Sequence, residues 1–250
     1  MYNLQALNKT IGRAKSGEDK ITYIDVTQGK GASDLQIIAH SDSSLLNATN
    51  FKSQQGTAIM LTSLTHDGEL SSATEAPPII PGTSKSMLVK KCDPVGLIHW
   101  SSRRSRRVHI SSFSAETAAL VETADYTMYI KCLASEIIYG EPSGAVKAVA
   151  FADQLAVVSN CISLGMTSSE KRLNAIFHYL RQSLASSHID GIKFTPSDLN
   201  VADGLTKPSH SHVLSYVVNK NTLILADTGK MSAKKRSKRN NFILSESTKK

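Results

Sequence analysis

Several short segments of this chain are apolar-rich and bounded by polar or turn residues, and two longer ones repeat with helical period. In "LQIIAHSDSS", strict alternation places Gln36, Ile38, His40 and Asp42 on one face of a strand and Leu35, Ile37, Ala39 and Ser41 on the other. "GTAIMLTSLT" (56–65) and "GLIHWSS" (96–102) read as two further strands in an antiparallel continuation. "SSFSAETAALVETADYTMYIKCLASEIIYG" is a helix, with Ser111 or Ser112 able to cap it and an apolar stripe through Leu120, Ala124 and Met128. The strand "AVKAVAFADQL" puts Lys147, Val149, Phe151 and Asp153 on one face. "TSSEKRLNAIFHYLRQSLASS" is the second long helix, with a capping box from Thr167 to Glu170 and a stripe of Leu173, Ile176, Phe177, Leu180 and Leu184. "GIKFTPS" is a last short strand, and "LNVADGLTKPS" turns from it into a short helix.

The segments between are less regular. "ALNKTIGRAKS" is a short basic helix candidate, and "ITYIDV" a short strand or connector. A Ser-, Thr-, Pro- and Gly-rich stretch over about 65–95 has no period of its own and is much longer than a hairpin loop, which marks an insertion. These boundaries divide the chain into a basic connector (1–32), a folded domain (33–210), a C-terminal extension (211–229) and a basic tail (230–250).

Four acids break the apolar patterning. Asp42 and Asp153 stand at strand ends, Glu116 falls on the inward stripe of the first long helix, and Asp203 enters the last one. A carboxylate beside apolar surface is costly unless it is hydrogen-bonded, paired or bound to a metal. Hard divalent cations take oxygen ligands, and two of them about 3.5–4 Å apart can activate a water and stabilise a leaving oxygen. A single Asp at a strand end is ordinarily a turn or cap residue; here the order of all four is what points to a cluster.

That order is strand-Asp, two strands, helix-Glu, strand-Asp, helix, strand, helix-Asp, and it resembles the ribonuclease H fold. The wording of "HSDSS", "KSQQGTAIML", "IHWSSRRSRRVHISSFSAETAAL", "FADQLAVV", "SEKRLNAIFHYLRQ" and "IKFTPSDLNVADGLTKP" is similar to the ribonuclease H region of copia-type LTR retrotransposon Pol polyproteins. The pieces are collinear over roughly Leu35 to Pro208, with weaker similarity at "ALNKTIGRAKS" to the family's connector from the polymerase domain. The resemblance implies an α/β protein with a ribonuclease H-like, mixed five-stranded sheet flanked by helices. It implies that Asp42, Glu116, Asp153 and Asp203 are catalytic metal ligands for two Mg²⁺ ions, with Mn²⁺ an acceptable substitute, and that the RNA strand of an RNA–DNA hybrid is cut to a 3′-hydroxyl and a 5′-phosphate. Two departures stand out: Gln154 occupies a position where the family usually has Asn, and the insertion enlarges a compact hairpin. No polymerase "YxDD" segment occurs, so the resemblance implies a detached C-terminal fragment with a separate reverse transcriptase polymerase domain as a partner. The same residues also allow a catalytically inactive retroelement remnant that binds nucleic acid.

Charge agrees with a polyanionic partner. The 250 residues carry a formal net charge of +8. Arg103, Arg104, Arg106 and Arg107, with Lys171 and Arg172, are the candidate nucleic-acid contacts; a solvated turn is the plain alternative. Trp100 and Phe113 read as core residues, and Asn174, His178 and Arg181 as one polar helix face. His188 and His210 lie near the last acid in sequence without sitting in a matching motif, while Asp93, Asp190 and Asp198 read as turn acids. The tail carries Lys230, Lys234, Lys235, Arg236, Lys238 and Arg239 without apolar period, as nuclear import signals and nucleic-acid tethers do. Cys92, Cys132 and Cys161 form no metal-type pair and are expected as free thiols. With no apolar run of about 20 residues and no signal peptide pattern, the expectation is cytoplasm or nucleus and no membrane.

Overall fold

The first strand is buried on both faces for most of its length, which makes it the centre of a sheet. A computed structural model describes residues 21, 23, 25–27, 35–48, 51–63, 89–92, 94–142, 146–163 and 170–226. Four strands come first, β1 (Leu35–Ala48), β2 (Lys52–Ser63), β3 (Val89–Cys92) and β4 (Val95–Arg104); then follow helix α1 (Ser112–Tyr139), β5 (Lys147–Ala152), helices α2 (Leu155–Ile162) and α3 (Lys171–Ala185), β6 (Gly191–Phe194), helices α4 (Asp203–Thr206) and α5 (His212–Lys220), and β7 (Leu223–Ala226). The main sheet runs β4-β2-β1-β5-β6. β1, β2 and β4 are antiparallel neighbours, and β5 and β6 run parallel to β1. This is the mixed five-stranded, helix-flanked sheet that the order of elements predicts.

Alternation sorts the core onto the two sheet faces. Ile37, Ala39, Ile59 and Ala148 pack under α1 through Tyr126, Ile130, Ala134 and Ile138. Ile38, Ala58, Met60 and Phe151 meet Val201, Val213, Val217, Leu223 and Leu225 on the other face. Beyond the first face, Leu120 and Ala124 of α1, Val157, Val158 and Cys161 of α2, and Leu173, Phe177 and Leu180 of α3 form a helix layer. A buried lysine ties these layers together: Lys131 Nζ donates to Asp190 Oδ2 and to the Ser187 carbonyl, both at 2.7 Å. Asp190 Oδ2 also accepts the amide of Ala148 at 2.7 Å, so this acid is a clamp rather than a simple turn residue.

Ser111 is the N-cap of α1, its hydroxyl accepting from the Ser114 amide at 3.1 Å, and Gly140 ends the helix in the left-handed region (φ 74°). Other expectations are corrected. β1 continues past Asp42 to Ala48, so the first acid lies within the strand. α3 begins at Lys171 with Glu170 in the N-cap position and no side-chain cap bond, and Thr167 lies outside the described residues. Trp100, expected in the core, is exposed on an edge strand, whereas Phe113 packs tilted against Phe177 with centroids 5.8 Å apart. Asn174 is buried, not on a polar face with His178, and Arg181 donates twice to the Asn160 carbonyl. Val89–Cys92, inside the stretch read as an insertion, pairs antiparallel with Leu223–Ala226. The segment after 210 supplies α5 and β7, whose Val213, Val217, Leu223 and Leu225 are part of the core. Cys132 and Cys161 are free. No described helix is long and apolar enough to cross a membrane. The connector helix candidate, most of the insertion and the basic tail lie outside the described residues.

Candidate active site

Strand register brings the first two acids together. In the parallel pair, Ser41 faces Ala152, so Asp42 and Asp153 each follow a matched position on neighbouring strands about 4.8 Å apart. Ser41 Oγ donates to the Phe151 carbonyl at 3.1 Å and fixes that alignment. Asp203 arrives from the turn after β6. Asn200 anchors that turn to β1: its Nδ2 donates to the Ser41 carbonyl at 2.9 Å, and its Oδ1 lies 3.2 Å from His40 Nδ1. The Asp203 amide then donates to the Asn200 carbonyl at 3.2 Å. The outcome is that one carboxylate oxygen each from Asp42, Asp153 and Asp203 lie within 4.8 Å of one another.

Glu116 stands beside this triad, one turn inside α1. Its Oε1 accepts the amide of Ser43, next to Asp42, at 3.2 Å. Asp42 and Asp153 both act on its ionisation, although it is not one of the three acids whose oxygens converge. Among the described residues, Asp42 Oδ1 and Glu116 Oε2 are buried with no hydrogen-bond partner.

The electrostatics are those of crowded like charges. Burial, followed by the charges of Asp153 and Asp42, pushes the Glu116 carboxyl up to about 9. Burial raises Asp42 to about 6, against the pull of Thr206 and Lys207 and with the help of Asp153 and Asp203. Asp153 is raised too, chiefly by burial, while Ser197 Oγ donates to its Oδ2 at 2.8 Å. Hard oxygen donors, unpartnered buried oxygens and raised carboxyl pKa values are a combination that a divalent cation satisfies. The residues present therefore fit a metal, with Asp42, Asp153 and Asp203 able to hold it and Glu116 adjacent.

Sequence reasoning passed over three residues of the site. Thr206 Oγ1 donates to Asp42 Oδ2. Lys207 Nζ bonds Asp203 Oδ1 and lies 3.6 Å from Asp42 Oδ2. Burial opposes the charge of Lys207, but the bond to Asp203 and the fields of Asp42, Asp203 and Asp153 leave its pKa raised. Gly56 pairs with Asp42 across the sheet and leaves room for the Asp203 turn. All three could have been noticed in "GLTKP" and "QQGTA", where a Thr and a Lys follow an acid at helical spacing and a Gly interrupts a strand. Of the two histidines, His210 Nδ1 lies 4.0 Å from Asp203 Oδ2, while His188 is exposed after α3. Gln154 is at the N-cap of α2 without a capping bond, its Oε1 buried and unpartnered among the described residues.

A groove of about 820 Å³ opens between the β4–α1 loop, α1 and α3. Arg103, Arg104, Arg106, Arg107 and Arg172 line it, and Lys171 is exposed beside it. Gln55 and Ser114 also line it, and these neighbour the acids: Gln55 pairs with Ser43, and Ser114 precedes Glu116 by two residues. Arg103 pairs with Glu122 and lies 5.3 Å over the Tyr126 ring. His109 is buried with Nε2 2.9 Å from Ser105 Oγ, and burial together with Arg172 and Arg107 lowers its pKa.

No protein-family model and no curated protein matches the chain. Among solved structures it is similar to LC11-RNase H1 isolated from compost by a metagenomic approach, at 14% identity and TM-score 0.42 over 72% of this chain and 98% of that one. RNase H1 from the halophilic archaeon Halobacterium salinarum NRC-1 gives 13% identity and TM-score 0.41 over 72% and 98%. The foamy viral protease-reverse transcriptase in complex with RNA/DNA hybrid gives 13% and 0.40 over 78% of this chain and 22% of that one.

Proposed function

We propose that this chain is a divalent-metal-dependent endonuclease that hydrolyses the RNA strand of RNA–DNA hybrids, derived from a copia-type LTR retrotransposon Pol polyprotein. The observation that carries this reading is the meeting of Asp42, Asp153 and Asp203 from three separate elements, their oxygens within 4.8 Å, with Glu116 alongside. The ions in this reading are Mg²⁺, two of them, with Mn²⁺ able to replace them; when bound they lower the pKa of the attacking water and neutralise charge on the departing oxygen. The protein's own residues do the rest. Ser41, Asn200 and the Ser43 amide hold the carboxylates in place before any ligand arrives, which spares reorganisation during the reaction. Thr206 orients Asp42. The arginine-lined groove beside Gln55 and Ser114 binds the hybrid's phosphates and brings a backbone to the carboxylates. In the balanced reaction the oxygen of water bonds to phosphorus, the bond to the 3′ oxygen breaks, and that oxygen leaves as a 3′-hydroxyl while the phosphate stays on the 5′ side. A separate reverse transcriptase polymerase domain is the proposed source of hybrid, and cytoplasm or nucleus the proposed location.

The test is cleavage of a labelled RNA–DNA hybrid by the purified chain in Mg²⁺ and in Mn²⁺, beside Asp153→Asn and an RNA duplex control. Hybrid-specific cutting that vanishes in the variant is the expected result. The groove favours one second reading, an inactive remnant that binds nucleic acid electrostatically. Folded protein that binds hybrid in a salt-dependent way without cutting it would replace the first reading with this one.

A further inference from the structure

The carboxylate cluster carries a cation of its own. Lys207 is the C-cap of α4, and its backbone amide donates to the Asp203 carbonyl at 2.9 Å while its ammonium bonds the Asp203 carboxylate. The residue is thus tied to Asp203 through both main chain and side chain, four positions apart, a spacing that places two side chains of one turn side by side. The ammonium also lies 3.6 Å from Asp42 Oδ2, so it stands between two of the three converging acids. Its partners differ sharply in exposure: the Asp42 and Asp203 side chains are 0% and 3% exposed, the Lys207 side chain 31%. The charge of a buried acid pair is therefore offset in part by a single cation on a flexible stem that still reaches solvent.

The oxygens are divided by this arrangement. Asp203 Oδ1 and Asp42 Oδ2 face Lys207, and Asp42 Oδ2 also accepts Thr206 Oγ1. Asp42 Oδ1 and Glu116 Oε2 have no partner among the described residues. One ion can use the unpartnered oxygens with the ammonium in place, whereas an ion that needs both Asp42 Oδ2 and Asp203 Oδ1 must displace it. An ammonium supplies one positive charge and three donors, and a divalent ion two charges and none, so the two compete for the same oxygens without being equivalent.

We propose that Lys207 is a tethered counter-ion that holds the Asp42–Asp203 side of the site together in the absence of metal and competes with a divalent ion for it, so that divalent ions load in two steps of unequal affinity. This rests on the metal-dependent reading above. Swinging Lys207 out to solvent opens the second position, and swinging it back closes it.

The experiment titrates the full chain with Mn²⁺ without nucleic acid, following free Mn²⁺ by its electron paramagnetic resonance signal. Wild type, Lys207→Met and Asp42→Asn are compared, and each is melted in chelator and in Mn²⁺. Expected is a second binding step about tenfold tighter in Lys207→Met than in wild type, a coupling of ordinary size for two mutually exclusive occupants. Lys207→Met should also melt below wild type in chelator, with the gap closing as Mn²⁺ is added. An isotherm unchanged or weakened in Lys207→Met, with wild-type binding lost in Asp42→Asn, overturns the counter-ion and leaves the metal site standing. No Mn²⁺ binding by wild type or Lys207→Met overturns both. If Lys207→Met does not fold in chelator, the unmutated chain decides: the Lys207 ¹³Cε resonance, assigned with Lys207→Arg, must shift on addition of Mg²⁺, and a resonance that stays in place overturns the proposal.

Discussion

A Cβ built on Gly56 would stand 2.8 Å from the carbonyl oxygen of Ala202. Gly56 lies opposite Asp42 in the β1–β2 ladder, and Ala202 immediately precedes Asp203, so the bare backbone of one strand is the seat on which the turn bearing the last acid rests. Thr206 Cγ2 and Leu205 Cβ close in at 2.9 and 3.1 Å. Gly56→Ala has to push this turn away from the sheet. We expect a loss of about 1–3 kcal/mol in unfolding free energy, the usual cost of overfilling a packed site, together with a fall in hybrid cleavage larger than the stability loss explains. Urea unfolding and single-turnover cleavage on the same preparation check this, and a variant unchanged in both would mean that the turn does not rest on Gly56.

The central elements were legible in the sequence because their patterns are physically redundant. The apolar runs "IIA" and "AVAFA" are demanded by strands buried on both faces, and the stripe through Leu173, Phe177 and Leu180 by a helix laid on the sheet. The acids were visible as exceptions to those same patterns. What escaped were features that depend on contacts between distant segments. Val89–Cys92 is four residues long and becomes a strand because Leu223–Ala226 pairs with it. Asn200 looks like a loop residue, and its job of tying the Asp203 turn to Ser41 exists only once β1 is alongside. Trp100 belongs to an apolar run, but β4 is the edge of the sheet, and an edge strand has less to bury against.

The metal-free protein should lose stability as pH rises from about 6.5 to 9. Glu116 titrates near 9 when folded against an ordinary 4.5, so the folded state keeps a proton that the unfolded chain releases. Its contribution is complete below the unfolded value and disappears as pH climbs through the folded one. Asp42, raised from 3.8 to about 6, acts in the same sense at lower pH. His40 acts in the opposite sense: burial lowers it from 6.5 to about 4, so its contribution is lost as pH falls through that interval. Asp42 and His40 therefore offset each other between about 4 and 6.5, leaving the slope above that range to Glu116. Melting curves in chelator at a series of pH values should show it, and saturating Mg²⁺ should flatten it by favouring the ionised carboxylates. A melting temperature that climbs across this range in chelator contradicts the environment described for Glu116.

Glu116→Gln separates stability from function. The amide keeps an oxygen for the Ser43 amide and replaces the unpartnered Oε2 with a donor beside Asp42 and Asp153. In chelator at pH 8 the variant should be more stable than wild type by about 1–3 kcal/mol, since an ionisable group in a buried, like-charged setting is gone. At pH 5, close to the ordinary value of 4.5 at which the unfolded chain also holds the proton, the difference should shrink. Hybrid cleavage should drop by about 100-fold, the scale seen when groups around a metal site are altered. A variant that is both destabilised at pH 8 and fully active would reverse both expectations.

The arginines of the groove should reveal themselves through salt. Each phosphate neutralised on a duplex adds about 0.9 to the magnitude of the slope of log affinity against log salt concentration. Arg106 and Arg107 are exposed at the groove, whereas Arg103 is held by Glu122 and by stacking on Tyr126 and so also contributes to the fold. Arg106→Ala/Arg107→Ala should accordingly reduce the slope for hybrid binding by about 2, twice the increment of one contact, with little change in melting temperature. Arg103→Ala should lower both the slope and the melting temperature. Binding isotherms measured by fluorescence anisotropy from low to physiological salt, with the active site blocked by Asp153→Asn, give the slopes directly. If the double variant keeps the wild-type slope, the hybrid does not lie in this groove, and the basic surface that holds it must be sought on another face.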